Sequence, residues 1–355
     1  MRNPDRYDRQ RRFALVGESG QRRLLESHVA VLGCGALGTV AAEILARAGV
    51  GRLHLIDRDT VELTNLQRQS LFNEADAEAG RAKVDAATER LRAINSQIVI
   101  EPHLVDVRAD NIAALLSGAD LVIDGTDNFG VRFLLNDYSL ETKTPWVHGG
   151  CVGATGQVAF FTGRGSPCFR CLIPSPPDPS TVQTCDTAGV IGAATHTIAS
   201  LQAMRAIRFL SHDSAVGEQD EATSADASEV LSLDMWRNRI RTLNIADDNC
   251  PACKQGKRDF LHGTMSAVAD QSAVLCGRNA VQIHPQGNSP NHRIDFDRMQ
   301  KAWLNIGSLD RNAFFIRLHL PQDQSLTLFR DGRAVVGGTE DLAIARSIYA
   351  KYVGG

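Results

Sequence analysis

Val29-Ala30-Val31-Leu32, then Gly33-Cys34-Gly35-Ala36-Leu37-Gly38, then Arg52-Leu53-His54-Leu55-Ile56-Asp57 are the pieces of one stretch, His28 to Lys83, whose reading decides the fold. The first piece reads as a strand and the third as a second strand, with a helix between them. The middle piece is G-x-G-x-x-G in the context that gives it meaning: strand, glycine loop, helix, strand, acid. The first glycine allows the tight turn, the second lets backbone N–H groups approach phosphate oxygens, and the third lets helix and strand pack closely. The helix N-terminus adds free donors and partial positive charge for an anion. Asp57 follows Gly38 by nineteen residues, where such folds place an acid on a ribose hydroxyl.

The chain as a whole narrows the choices. Its 355 residues set a prior of about two domains. A hydrophobic content of 43% supports an ordinary core, and a net charge of −3 gives no electrostatic case for direct nucleic-acid binding. No apolar run reaches the roughly 20 residues needed to span a bilayer, so no membrane association is expected. Met1 to Arg12 is dense in Arg and Asp and does not read as a secretory signal. Eight cysteines without such a signal fit a reducing cytoplasm, as metal ligands, nucleophiles or buried thiols. There is no internal repeat.

In chain order, Arg6-Tyr7-Asp8-Arg9-Gln10 reads as a solvated arm before a short helix at Gly20 to Glu26. After Asp57 comes Arg58-Asp59, then Asn65-Leu66-Gln67-Arg68-Gln69. If 64–69 makes a helical turn, Asn65, Arg68 and Gln69 share one face. A helix with the stripe Val84, Ala87 and Leu91 opens at Ala79-Gly80-Arg81-Ala82-Lys83. Its dipole disfavours Arg81 and Lys83 in the first turn, so either an anionic ligand relieves the conflict or both cations are solvated. Further strands are expected near Ile98 to Ile100, Leu121 to Asp124 and Pro145 to Val147. The fourth strand ends in Gly125-Thr126-Asp127-Asn128 before a helix through Leu134-Leu135. This alternation predicts a doubly wound, Rossmann-like, mostly parallel α/β sheet. The glycine loop, Asp57 and Asp127 then converge beyond the strand ends. Gly156 to Phe161 predicts an antiparallel extension, Thr195 to Leu210 a helix, 211–229 a solvated loop, and Asp234 to Trp236 a strand. From about residue 260 to 355 the pattern predicts a separate small α+β module. Its strands are expected at Gly277 to His284, Phe314 to Leu320 and Ser325 to Phe329, and its helices at Asp297 to Leu304 and Glu340 to Tyr349.

Cys168-x-x-Cys171 and Cys250-x-x-Cys253 are two ligand pairs. Four thiolates make a closed tetrahedral Zn²⁺ site, structural in kind, that ties distant segments together. Cys185 lies outside both pairs, after the Pro-rich stretch Pro174 to Pro179. It reads as either a buried small residue or a nucleophile.

Taken in order, Gly33 to Gly38, Asp57-Arg58-Asp59, Asn65 to Gln69, Lys83, Thr126-Asp127-Asn128 and the two cysteine pairs resemble the MoeB/ThiF adenylyltransferases, relatives of the ubiquitin-activating enzymes. The resemblance covers roughly residues 5–254 and implies one adenylating domain over 1–254. It implies ATP and Mg²⁺ as reactants, and as partner a small ubiquitin-like sulfur-carrier protein whose C-terminal Gly-Gly carboxylate becomes an acyl-adenylate. By that pattern Arg68 and Lys83 contact phosphates, Asn65 positions the triphosphate, Asp127 holds Mg²⁺, and Asp57 takes the ribose with Asp59 nearby. The loop residues Gly33, Gly35, Ala36 and Gly38, with Gln69 and Asn128, complete the nucleotide site. Arg9 matches an arginine that reaches into a neighbouring subunit, which implies a homodimer. Cys185 matches a cysteine that takes the acyl group or forms a persulfide-type link in some members. Ala36 departs from a glycine common in that loop. No rhodanese-like loop surrounds Cys276, so sulfur would come from a separate donor. Gly354-Gly355 mimics a carrier tail, a composition common at chain ends.

Two other readings use the same residues. A nicotinamide-dependent dehydrogenase also needs the glycine loop and Asp57, but gives no reason for Arg68, Lys83 and a cysteine knot together. An inactive binding subunit of a heterodimeric activator would be expected to lose the phosphate-site cations, and all are present.

Overall fold

The computed structural model describes residues 6–177, 185–212, 229–263, 273–275, 279–283, 294–312 and 314–354. The chain divides into two units, Met1–Gly263 and Thr264–Gly355.

In the first unit, α1 (Asp8–Arg11) and α2 (Gly17–Glu26) lead into β1 (His28–Leu32), α3 (Gly38–Ala48) and β2 (Arg52–Asp57). A 3-10 turn at Leu63–Asn65 and α4 (Glu74–Glu78) precede α5 (Lys83–Ile94) and β3 (Val99–Leu104). Then come α6 (Ile112–Leu115), β4 (Leu121–Asp124), α7 (Phe129–Thr142), β5 (Trp146–Val152) and β6 (Thr155–Phe161). Short α8 (Phe169–Leu172) and α9 (Cys185–Ala188), long α10 (Gly192–Ser211) and the hairpin β7 (Glu229–Asp234) and β8 (Arg239–Asn244) complete it. The eight strands lie in the order β3-β2-β1-β4-β5-β6-β7-β8. The first five are parallel and the last three antiparallel.

The central strands β1 and β4 are buried along their whole length, as expected of strands covered on both faces. One face, through Ala30, Leu32, Ile56 and Val122, packs on Phe133, Leu134 and Tyr138 of α7, with Trp146, Phe161 and Phe169 extending this core. On α5 the stripe Val84, Ala87 and Leu91 is fully buried. The chain runs β1, β2, β3 in one direction and β4, β5 in the other, so the switch point lies between β1 and β4.

Three expectations need correction. The arm is docked: Tyr7 is buried, its hydroxyl accepts from Asn95 Nδ2 at 2.9 Å, and Gln10 Nε2 donates to the Ala48 carbonyl at 2.9 Å. Its ring lies so close to Gly49 that a Cβ there would sit 2.6 Å from it. The strand expected at Asp234 to Trp236 ends at Asp234. Met235 to Asn238 form the hairpin turn instead, with Asn238 at φ 53 and Trp236 exposed; asparagine tolerates that left-handed conformation. The third concerns Arg81 and is taken up with the site below. Most of the acidic stretch expected as a loop lies outside the described residues.

The second unit is an antiparallel sheet in the order β11-β12-β13-β14-β10-β9. Its elements are β9 (Ala273–Leu275), β10 (Ala280–Ile283), α11 (Phe296–Trp303), β11 (Leu309–Arg311), β12 (Phe315–His319), β13 (Ser325–Phe329), β14 (Ala334–Gly337) and α12 (Leu342–Tyr352). Val281, Phe296, Trp303, Ile316, Leu328, Val336 and Ile348 form its core. The Trp303 indole N–H donates to the Tyr352 carbonyl at 2.9 Å, fastening α11 to α12.

Candidate active site

The glycine loop is locked to the end of β4 by backbone contact. A Cβ at Gly33 would lie 2.8 Å from the Gly125 carbonyl oxygen, and one at Gly38 would lie 1.8 Å from that of Gly33. Gly33 also has φ 85, which L side chains rarely adopt. Gly35 is different: a Cβ there would meet nothing nearer than 3.8 Å. Packing does not require glycine at this position, and the space over the loop fits a ligand that approaches the backbone. The half-buried Ala36 follows it.

Asp57 ties the loop to the next segment. Its carboxylate accepts from Cys34 N at 2.6 Å and Asp59 N at 2.7 Å. Burial raises its pKa, with Asp59 adding to the effect and Lys83 opposing it. Lys83 is the first residue of α5, is 4% exposed, and places Nζ 3.2 Å from Asp59 Oδ2. Its charge is thus held against both burial and the helix dipole. Arg81 behaves otherwise. It precedes α5 and pairs with Asp76 at 3.0 Å, Asp85 at 2.8 Å and Glu89 at 2.8 Å. The expected conflict with the dipole therefore falls on Lys83 alone.

The segment 63–69 forms a 3-10 turn continued by further turns. Asn65 is buried, and its side-chain oxygen accepts from Glu62 N at 3.1 Å. Arg68 Nη1 donates to the Thr64 carbonyl at 2.9 Å, and Arg68 forms no ion pair among the described residues. Gln69 is buried with its Oε1 unpartnered among the described residues. The start of α10 closes against this segment: a Cβ at Gly192 would lie 2.6 Å from the Gln67 carbonyl oxygen.

At the end of β4, Asp127 is exposed, whereas Asn128 caps α7 by accepting from Gly130 N at 2.7 Å. Beneath them lies a buried network that the sequence reading missed. Asp124 meets Arg132 Nε at 3.1 Å, His148 Nδ1 at 2.8 Å and the Thr126 hydroxyl at 2.6 Å. Gln202 donates to the Asp124 carbonyl at 2.8 Å, and Arg132 reaches the carbonyls of Thr126 and Gly149. Burial opposes the Asp124 charge, yet Arg132 and His148 hold its pKa below the ordinary value. The signal available in sequence was an acid closing an apolar strand eight residues before an arginine. Arg58 was also missed as a link. Burial works against its charge, but Asp106, Asp59 and Asp127 hold it firmly protonated. It lies 3.0 Å from Asp106.

Gly33 to Gly38, Asp57, Asp59, Asn65, Arg68, Gln69, Lys83 and Asp127 thus sit on segments that follow β1, β2 and β4. Arg9 does not join them. It is exposed on α1, whose Gln10 binds the last residue of α3, the end away from the glycine loop. At 1.5 Å per residue that separates the two by roughly 15 Å. Cys185 opens α9, and its side chain lies outside the described residues.

The cysteine pairs meet. Cys168 and Cys250 sulfurs are 3.6 Å apart, Cys171 and Cys253 sulfurs 3.5 Å, and all four lie within 4.8 Å of one another. A tetrahedral Zn²⁺ with bonds of about 2.3 Å needs sulfurs about 3.8 Å apart. The donor set and spacing fit that ion. Around them Phe169 N donates to Asn136 at 2.9 Å and Phe260 N to Asp137 at 2.9 Å, so the knot is bound to α7.

A doubly wound, Rossmann-like sheet with an antiparallel extension, Arg68 and Lys83 on the segments after β2 and a four-cysteine knot bound to α7 define a nucleotide-binding-type α/β protein. The ThiF family profile matches residues 7–253, and the chain belongs to the ThiF family. It is 38% identical over 356 residues to the sulfur carrier protein ThiS adenylyltransferase of Bacillus subtilis, covering 98% of this chain and 99% of that protein. It is 43% identical over 306 residues to the adenylyltransferase and sulfurtransferase MOCS3 of Anopheles gambiae, spanning 85% of this chain and 65% of that protein. The crystal structure of E. coli MccB with ATP shares the fold, with a TM-score of 0.58 and 22% identity, over 72% of this chain and 75% of that one.

Proposed function

We propose that this adenylyltransferase activates the C-terminal glycine carboxylate of a small ubiquitin-like sulfur carrier with ATP. The observation that carries this reading is the end-to-end match to a ThiS adenylyltransferase, and it favours a ThiS-type carrier. A carboxylate oxygen attacks the α-phosphorus, the bond to the bridging oxygen breaks, and pyrophosphate leaves with the electron pair. Both reactants are anions, so the enzyme's task is alignment and charge stabilisation. Arg68, with no ion pair among the described residues, turns to the phosphates, and Lys83 contributes its charge from beside Asp59. Asn65 positions the triphosphate over Gly35. Asp57 takes the ribose with the lone pairs left over from Cys34 N and Asp59 N. Asp127, an exposed carboxylate beside Arg58, would hold Mg²⁺, which neutralises phosphate charge when bound. Asn128 serves the site by starting α7. The four-cysteine knot would hold a structural Zn²⁺, and sulfur would come from a separate donor.

Arg9 lies at the wrong end of α3 to serve its own crevice, which supports a homodimer in which it completes the partner's site. Among the described residues no helix is long and apolar enough to cross a membrane. The test is ATP–pyrophosphate exchange with a purified ThiS-type carrier. Exchange that requires the carrier's terminal glycine is expected. Exchange indifferent to the carrier, or none with it, overturns the reading. For the dimer, mixing inactive Arg9→Ala and Arg68→Ala subunits should restore one intact site. No restoration after verified subunit exchange rejects it. Cys185→Ala should leave exchange intact while removing any acyl or sulfur link through that residue.

A further inference from the structure

Away from the crevice, on the edge pair of the sheet, His54 of β2 and Glu101 and His103 of β3 share one face. The register pairs His54 with Glu101 and Ile56 with His103, and alternation puts Glu101 and His103 on the same side of β3. His54 Nε2 lies 2.6 Å from Glu101 Oε2. The His54 and His103 rings are 5.1 Å apart. One ligand atom from each of the three lies within 4.8 Å of the other two. His54 Nδ1 and His103 Nε2 are buried with no hydrogen-bond partner among the described residues, an uncommon and costly condition for a ring nitrogen. His28 packs edge-on to His54 with centroids 4.1 Å apart and fastens its own Nδ1 to the Gly118 carbonyl at 2.8 Å.

We propose that His54, Glu101 and His103 form a second metal site that takes a divalent transition ion of the Zn²⁺ class. Two imidazoles and one carboxylate are a nitrogen-rich donor set, which suits Zn²⁺, Co²⁺ or Ni²⁺ and not the oxygen-seeking Mg²⁺ or Ca²⁺. Bonds of about 2.0–2.1 Å need donor atoms roughly 3.3 Å apart, a spacing that small side-chain rotations reach from the one observed. Glu101 is 39% exposed, so the ion has a path in and a face open to water. The site shares no residue with the four-cysteine knot. Its effect would be mechanical: the ion clips the edge strand β3 to β2, three residues before Asp57.

The test is calorimetric titration of Zn²⁺ into the full chain after its four-cysteine knot has been loaded with one equivalent. One further equivalent is expected. Loss of a supporting residue alone costs about 10–100-fold in metal affinity, and loss of a ligand should cost at least that. Glu101→Gln and His103→Gln should each weaken the second equivalent by that factor, and the Zn²⁺-induced rise in Tm should disappear with it. Glu101→Gln is nearly isosteric on a partly exposed strand, so it keeps the test valid if His103→Gln does not fold. A titration that ends without a second equivalent, or a second equivalent bound unchanged by the variants that fold, overturns the proposal.

Discussion

In the crevice, among the described residues, Arg68 turns toward no acid, Gln69 buries an unpartnered oxygen, and Gly35 leaves open space. In the four-cysteine knot, the sulfurs close on one another, and Asn136 and Asp137 hold the backbone on either side. Both sites join residues distant in sequence. The crevice leaves its groups available because its ligand must arrive, react and leave. The knot commits its four sulfurs to one another, as a permanently held Zn²⁺ would require. The difference predicts that damage to the knot appears as instability, and damage to the crevice as lost rate.

The largest effect should come from the knot. Cys168→Ser with Cys250→Ser should remove about one equivalent of Zn²⁺ by metal analysis. In small zinc peptides the metal contributes on the order of 10 kcal/mol; here a loss of several kcal/mol is expected, seen as a large fall in Tm. Unchanged zinc content would mean that the four sulfurs are merely neighbours.

Next comes Arg68→Ala. A preorganised contact on developing charge is worth about 3–4 kcal/mol, or 10²- to 10³-fold in rate. Carrier-dependent exchange should fall by that factor with Tm unmoved. A stability loss with normal exchange would reverse the comparison.

The buried network under Asp127 belongs to both kinds, since it is permanent yet positions the crevice, and pH separates its parts. Burial lowers the His148 pKa from 6.5. The unfolded chain therefore takes up that proton first, and the stability is present above about pH 6.5 and lost as pH falls below it. Asp124, held below 3.8 mainly by Arg132 against its burial, contributes stability above that value and loses it only in stronger acid. His148→Gln should flatten the upper stage of a urea-melt series without removing the lower one. An unchanged slope below pH 6.5 would exclude His148 as its source.

The parallel sheet was legible because β1 and β4 are apolar runs closed by glycine or acid and β2 carries Leu53, Leu55 and Ile56 up to Asp57, and the crevice followed from their order. Its supporting network was not, because Arg132, His148 and Gln202 sit on three elements whose contact depends on packing. The docked arm was missed for a similar reason: Tyr7 and Gln10 look solvated until Gly49 and the end of α3 are placed beside them. His54, Glu101 and His103 resemble ordinary strand polars until the register aligns them.

Arg81 gives the smallest effect and the sharpest contrast with Arg68. Both are half-buried arginines that precede α5, and apart from the family resemblance, which assigns only Arg68 to the phosphates, residue type and local pattern do not rank them. Arg81 has three carboxylates, and two of these, on Asp85 and Glu89, are 42% and 72% exposed. Such pairs are each worth about 0–1 kcal/mol because solvent screens them and both side chains lose freedom. The Asp76 pair is better shielded, with that carboxylate 9% exposed, but Asp76 also accepts from Asn73 N at 3.1 Å and would keep that bond. Arg81→Ala should therefore cost about 1 kcal/mol, a Tm fall of roughly 2–4 °C for a domain of this size. Exchange should stay within about twofold, as for a substitution away from the reacting groups. The backbone bond from Val61 N to the Arg81 carbonyl survives the change, so the loop carrying Asp59 keeps its anchor. If exchange instead falls as far as in Arg68→Ala, an arginine saturated by acids is still serving the phosphates, and ion pairing cannot separate the crevice's working cations from its structural ones.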